Sequence, residues 1–161
     1  MTLVLGGPGA GKTTYLLDLY RRATFEAPVR LFTQDVNIDQ ALQGFYPPTG
    51  SHIRRFSATN PPPIISQVVH EVREYARGTW GIEVFPGLSL GALGELRAEA
   101  SKKGSDVYFV WQTKRDFSGR YEDLPSSITP FFDRALLLER GQDRVIFEVY
   151  KGPRLTRFER I

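Results

Sequence analysis

The chain has 161 residues, a length that suits one domain with a single sizeable core, and its 41% hydrophobic and 24% charged residues are an ordinary globular mix. No apolar run reaches the roughly 18 residues that would cross a membrane, and glycines interrupt the N-terminus too early for a signal peptide. With no cysteine, disulfide partners, thiolate metal sites and cysteine nucleophiles are excluded, a composition compatible with a cytoplasmic protein.

The net charge is +3, and from Arg134 to Ile161 seven Lys/Arg face four Asp/Glu, so this stretch alone carries an equal excess. A basic end suits nucleic acid, and equally a solvated strand face.

In chain order, Thr2–Leu5 predicts a short buried strand, and Gly11–Ala23 a helix with Leu16, Leu17, Leu19 and Tyr20 on its apolar side. Val29–Thr33 predicts a second strand. A loop with Pro47, Pro48 and Gly50 follows, then a short strand at Ile53–Phe56. Asn60 before Pro61, Pro62 and Pro63 is a helix start, continued by Ile64, Ile65, Val68, Val69, Val72, Tyr75 and Ala76 at the spacing of one buried face. Gly78 stops it. Trp80–Phe85 predicts a strand, Leu90–Lys103 a helix ending at Gly104, and Val107–Trp111 a continuous apolar strand suited to the middle of a sheet. A polar loop, Thr113–Ser127, leads to a short helix near Ile128–Phe132. Three strand-like runs close the chain: Ala135–Glu139, Val145–Tyr150 and Leu155–Ile161. Alternating strands and helices predict an α/β fold with a mostly parallel sheet, and the last runs predict an added antiparallel hairpin. Residues 1–161 read as one domain, with no repeat and no low-complexity segment.

Gly6-Gly7-Pro8-Gly9-Ala10-Gly11-Lys12-Thr13 satisfies G-x-x-x-x-G-K-[ST], and Thr14 follows it into the helix. The chemistry needs close approach: without Cβ atoms, backbone N–H groups curl around phosphate oxygens. The following helix adds free N–H groups and the positive end of its dipole. Lys12 would neutralise β- and γ-phosphate oxygens, and the Thr13 hydroxyl would take one Mg²⁺ position. A strand before and a helix after are the required context, and the expected ligand is ATP with Mg²⁺.

Hydrolysis also needs a strand-end acid in the Mg²⁺ shell and a group that orients water. Glu83, in WGIEVFPGLS, ends a strand beside the expected centre; its plain alternative is an exposed strand-end carboxylate. Asp35, in RLFTQDVNID, ends the second strand, where it, or Glu83 instead, would polarise water; its plain alternative is a turn residue. Gln112 follows the apolar DVYFVW strand, where a polar group would sense loss of the γ-phosphate or be a satisfied strand-end amide.

The order of these parts resembles the RecA-like P-loop ATPase core, a group that includes recombinases, hexameric replicative helicases and small phage recombination ATPases. FTQDVNIDQAL looks like the segment carrying that group's catalytic acid, and VYFVWQTKR like its sensor-glutamine strand. FEVYKGPRLTRFERI is similar to its final hairpin, where a cation reaches a neighbouring subunit's nucleotide. The resemblance implies a three-layer fold, and Lys151 and Arg154 as fingers acting in trans. It also implies a homo-oligomer, a hexameric ring in some of the group. The loop after Gln112 corresponds to one that contacts DNA. There Lys114, Arg115 and Arg120 would neutralise phosphates while Phe117 or Tyr121 stacks on bases; the alternative is a surface loop with a tucked aromatic. Glu83 departs from the group's usual aspartate, and Asp35 stands where glutamate is more common.

Two other P-loop families fit parts of the chain. FtsK/HerA-type motors, including viral genome-packaging ATPases, also place Gln after this strand. Small thymidine kinases resemble RDFSGRYEDLPSSITPFFDRALLLER, but would need a carboxylate at Val84 and cysteines for a zinc ribbon. A nucleotide-binding regulatory module is the remaining alternative.

Overall fold

The computed structural model describes residues 1–35, 37–56, 64–83, 89–114, 127–138, 144–147 and 159–160. They fall into two compact units, Met1–Lys12 with Tyr108–Ile161, and Thr13–Val107.

In the first unit, β1 (Thr2–Gly6) lies between β5 (Asp106–Gln112, whose first two residues belong to the second unit) and β6 (Arg134–Leu138), parallel to both. Every β1 residue is buried, and Leu3, Val4 and Leu5 are fully so. An apolar run covered on both faces is what a central parallel strand requires. The pairing sets Gly6 opposite Gln112, so the glycine loop leaves the sheet where β5 ends. Phe109 and Phe132 meet edge to face at 5.9 Å, and a 3-10 turn at Thr129–Phe131 precedes β6.

The C-terminal end corrects the expected fold. Of the run Ala135–Glu139, read as the start of an antiparallel end, the described residues Ala135–Leu138 lie in β6, and every pairing described among β1–β6 is parallel. Ala135, Leu136, Leu137 and Leu138 are all buried, so this run is covered on both faces where it pairs in parallel with β1, a signal its unbroken apolar character already carried. Among the described residues no hairpin spanning Val145–Tyr150 and Leu155–Ile161 is seen. What is described there is β7 (Arg144–Phe147), antiparallel to β6, and the two residues of β8 (Glu159–Arg160) against β7.

In the second unit, β2 (Val29–Thr33) is flanked in parallel by β3 (His52–Arg55) and β4 (Thr79–Glu83). Helix α1 (Lys12–Arg21) buries Leu16, Leu17 and Tyr20. The one-turn α2 (Ile38–Ala41) has no counterpart among the expected elements: it has no side-chain cap and buries Ile38 alone. Helix α3 (Ile64–Glu74) buries Ile65, Val68, Val69 and Val72 of the predicted stripe, whereas Tyr75 and Ala76, expected on the same face, lie past its end and are exposed. It packs on α4 (Leu90–Lys103), which starts at the Ser89 cap and ends on left-handed Gly104.

The two ends of β2 differ in chemistry. Near its start, the buried Arg30 guanidinium lies 4.5 Å from the Trp80 ring and 4.9 Å from Tyr75, and donates to the carbonyls of Gly50 and Ala76. A Cβ at Gly78 would sit 2.6 Å from that guanidinium, which explains glycine there. The cluster pins the starts of β2 and β4, and leaves their carboxyl ends for polar side chains.

Candidate functional site

The phosphate loop follows β1. Gly6 is buried, and a Cβ on it would lie 2.9 Å from the Ala10 Cβ and 3.0 Å from the Leu138 carbonyl oxygen. No larger residue fits without moving backbone. Gly9 and Gly11 take φ of 72° and 89°, a region that strains side-chain-bearing residues. The Ala10 N–H donates to the Gly7 carbonyl at 3.2 Å, and the Thr113 N–H to the Gly6 carbonyl at 3.1 Å, closing the loop on the end of β5. The Lys12 ammonium donates to the Gly7 carbonyl at 2.6 Å, so the cation curls over its own loop. Pro8 is exposed at the rim, and Thr14 is exposed on α1.

The second unit supplies a cluster of hydroxyls around one acid. Glu83 ends β4 and is only 8% exposed, which removes the reading of a solvated strand-end carboxylate. The Thr13 hydroxyl, in the first turn of α1, donates to its Oε1, and the Thr33 hydroxyl, at the end of β2, donates to its Oε2 at 2.5 Å. Each carboxylate oxygen therefore has its own hydroxyl. Asp35 is half-buried two residues beyond β2: its N–H donates to Thr33 Oγ1 at 3.0 Å, and its Oδ1 accepts from the Asn37 N–H at 2.8 Å. That second bond is the turn contact its sequence suggests. Asp35 and Glu83 are thus joined through Thr33.

Thr33 is not among the residues the sequence singles out, because a hydroxyl at a strand end carries no pattern and its partner lies 50 residues away. Gln112, the expected sensor, is exposed at the end of β5. Thr113 beside it is 1% exposed, and among the described residues its hydroxyl has no hydrogen-bond partner. Lys114 is exposed. The other expected DNA contacts (Arg115, Phe117, Arg120 and Tyr121) and the expected fingers Lys151 and Arg154 lie outside the described residues.

Among the described residues no three His, Cys, Asp or Glu gather into a metal cage. Mg²⁺ needs none, since it keeps water and takes one or two protein oxygens plus substrate phosphates. Thr13 and Glu83 present that hard-oxygen set, and so fit the ion.

A cleft of about 400 Å³ lies elsewhere in the second unit, lined by Arg54, Ser66, Gln67, His70 and Glu71. It holds none of the expected site residues. Glu71 is buried there, with His52 Nε2 at 3.1 Å and the Arg54 guanidinium against its other oxygen. Burial pushes its pKa up, but the contacts with His52 and Arg54 together outweigh it and hold the carboxyl below its ordinary value.

No protein-family model and no curated protein sequence matches the chain. Among solved structures it is similar to an ATPase domain, with a TM-score of 0.57 and 13% sequence identity, over 99% of this chain and 79% of that one. At that identity the likeness is one of fold, and it supports the RecA-like P-loop fold expected from the motifs. No helix among the described residues is long and apolar enough to cross a membrane.

Proposed function

We propose that the chain is a Mg²⁺-dependent ATP hydrolase with a RecA-like core that works on DNA as a homo-oligomer. The observation that carries the reading is the Glu83 carboxylate held by the hydroxyl of Thr13, the residue that directly follows the loop lysine in α1. A glycine turn with no such role has no need of a buried acid tied to its threonine.

On this reading the N–H groups of Gly7, Gly9, Gly11 and Lys12 bind phosphate oxygens. Lys12 exchanges the Gly7 carbonyl for a phosphate oxygen and supports charge on the transferring phosphoryl group. Thr13 and Glu83 are the protein's ligands and positioning groups for Mg²⁺, which when bound neutralises charge on the β- and γ-phosphates. Asp35 orients the attacking water, and Gln112 reports the phosphate state to the loop that follows. Lys114, Arg115, Phe117, Arg120 and Tyr121 as DNA contacts, and Lys151 and Arg154 as trans fingers, rest on the sequence and its resemblance.

The reading is tested by ATP turnover with and without single- and double-stranded DNA, over a range of protein concentrations. Turnover that needs Mg²⁺, rises with assembly and is stimulated by DNA supports it. Neutralising Lys114, Arg115 and Arg120 together should then shrink the slope of log affinity for DNA against log salt, by roughly one for each phosphate no longer neutralised. A concentration-independent rate with no DNA response rejects the motor. Phosphate transfer to thymidine would instead identify a kinase, and nucleotide binding without turnover a regulatory module.

A further inference from the structure

Thr33 closes a strand in which every residue is buried, and it is itself 1% exposed. A hydroxyl in such a place must find partners, because an unpaired one costs the full loss of its hydration. It has one hydrogen to donate and lone pairs to accept with. The hydrogen is committed to Glu83 Oε2 at 2.5 Å, since an ionised carboxylate can only accept. A lone pair takes the Asp35 N–H at 3.0 Å. Both bonds use one oxygen atom, so the hydroxyl cannot turn to improve one without losing the other.

The consequence for Glu83 is mechanical. With Thr13 on one oxygen and Thr33 on the other, its carboxylate cannot rotate about its last bond without breaking a hydrogen bond. The consequence for Asp35 is positional. Its main chain hangs from the same oxygen, and its own carboxylate is fixed by the Asn37 N–H. A carboxylate needs reach to touch two hydroxyls on different elements. The extra methylene of glutamate over aspartate supplies it, which gives position 83 a reason to be Glu.

We infer that Thr33 is a positioning residue, whose hydroxyl sets the Mg²⁺-shell acid Glu83 and the Asp35 segment in one fixed arrangement before nucleotide binds. The inference rests on the proposed Mg²⁺·ATP site, but not on hydrolysis. Groups that orient a metal's ligands are typically worth about 10–100-fold in metal affinity or activity.

The test uses Mn²⁺ in place of Mg²⁺, read by electron paramagnetic resonance with a non-hydrolysable ATP analogue, beside steady-state ATP turnover. Thr33→Val keeps the shape and deletes the hydroxyl, and should weaken Mn²⁺ binding and lower kcat by about tenfold each, with the KM for ATP little changed. Thr33→Ser keeps the hydroxyl, and should stay within about twofold of the native chain on both readouts. Glu83→Asp should withdraw the carboxylate from Thr33, so adding Thr33→Val to it should cost nothing further. Native Mn²⁺ affinity in Thr33→Val, a Thr33→Ser chain as impaired as Thr33→Val, or additive losses in the double variant would each overturn the inference. Should Thr33→Val fail to fold, Thr33→Ser and Glu83→Asp still decide: serine must match the native chain while aspartate weakens Mn²⁺ binding. Mn²⁺·nucleotide binding without turnover rejects the hydrolase and leaves Thr33 to the Mn²⁺ comparison. A native chain that binds no Mn²⁺·nucleotide rejects both.

Discussion

The phosphate loop is a main-chain device, and the acid cluster at the ends of β2 and β4 is a side-chain device. In the loop, space decides. Gly6 has no room for a Cβ, Gly9 and Gly11 have left-handed φ, and the charged side chain of Lys12 meets a carbonyl of its own loop. At the acid, hydrogen-bonding capacity decides, through Thr13 and Thr33 standing 70 and 50 residues from Glu83 in the chain. One region is spoiled by adding atoms, the other by removing a proton or a lone pair.

Lys12→Ala tests the one exception, the loop's charged side chain. The substitution leaves the main chain alone and removes the ammonium, so the fold should persist while turnover falls by about 10²–10³-fold, the usual cost of losing one strong electrostatic group. Native turnover in a folded variant would break the assignment of the loop. Glu83→Gln should come next, at about 10²-fold in Mg²⁺-dependent turnover. An amide has one oxygen and one NH₂, so one of the two hydroxyls then faces a donor. Asp35→Asn should cost less than this, because its Oδ1 can still accept from the Asn37 N–H. The reverse ranking would move the metal-shell role from Glu83 to Asp35.

Gly6→Ala tests the loop's side of the contrast by adding one methyl group. It would stand 2.9 Å from one carbon and 3.0 Å from a backbone oxygen, neither of which is the end of a flexible side chain. The expected cost is about 1–3 kcal/mol of stability, with a matching loss of nucleotide affinity. Thermal melts and nucleotide titration check it, and an unaltered chain would mean the loop is less tightly closed than its contacts indicate.

The same contrast explains how much of the molecule is legible in its sequence. The loop is legible because its constraint is local: eight consecutive residues carry it. Helix α4 and strand β2 are legible to the residue, one by its periodicity and the glycine after it, the other by its apolar run. The acids can be named because a carboxylate at a strand end is unusual, but Thr33 and Thr113 cannot, because threonine in and after strands is ordinary. Helix α2 has one turn and one buried residue, too short for a period to appear. Three consecutive strand-like runs suggest an antiparallel end and hide that β6 itself pairs in parallel with β1. The unbroken burial of Ala135–Leu138 shows which signal carries the greater weight.

The smallest expected effect falls at Glu71, outside both regions. Its carboxylate is 6% exposed and joins α3 to β3 through His52 and Arg54. Burial works to raise its pKa, and the contacts with His52 and Arg54 more than offset it, so the folded value lies below the unfolded one of about 4.3. A carboxyl depressed in this way adds stability that is fully present above the unfolded pKa and fades as pH falls through the folded one. Glu71→Gln removes that titration while keeping the shape. At pH 7 it should lower stability by about 1–2 kcal/mol, a modest loss because Arg54 is half exposed and regains water. The gap from the native chain should close as urea melts are carried to pH below the unfolded value, where the native carboxyl takes up its proton. Turnover at pH 7 should not change, since Glu71 bonds to neither the loop nor the acid cluster in any contact described above. A gap that stays constant as pH falls well below the unfolded value would show that shape rather than charge makes the contact. A drop in turnover without loss of stability would tie α3 to the nucleotide, and dissolve the separation between scaffold and site.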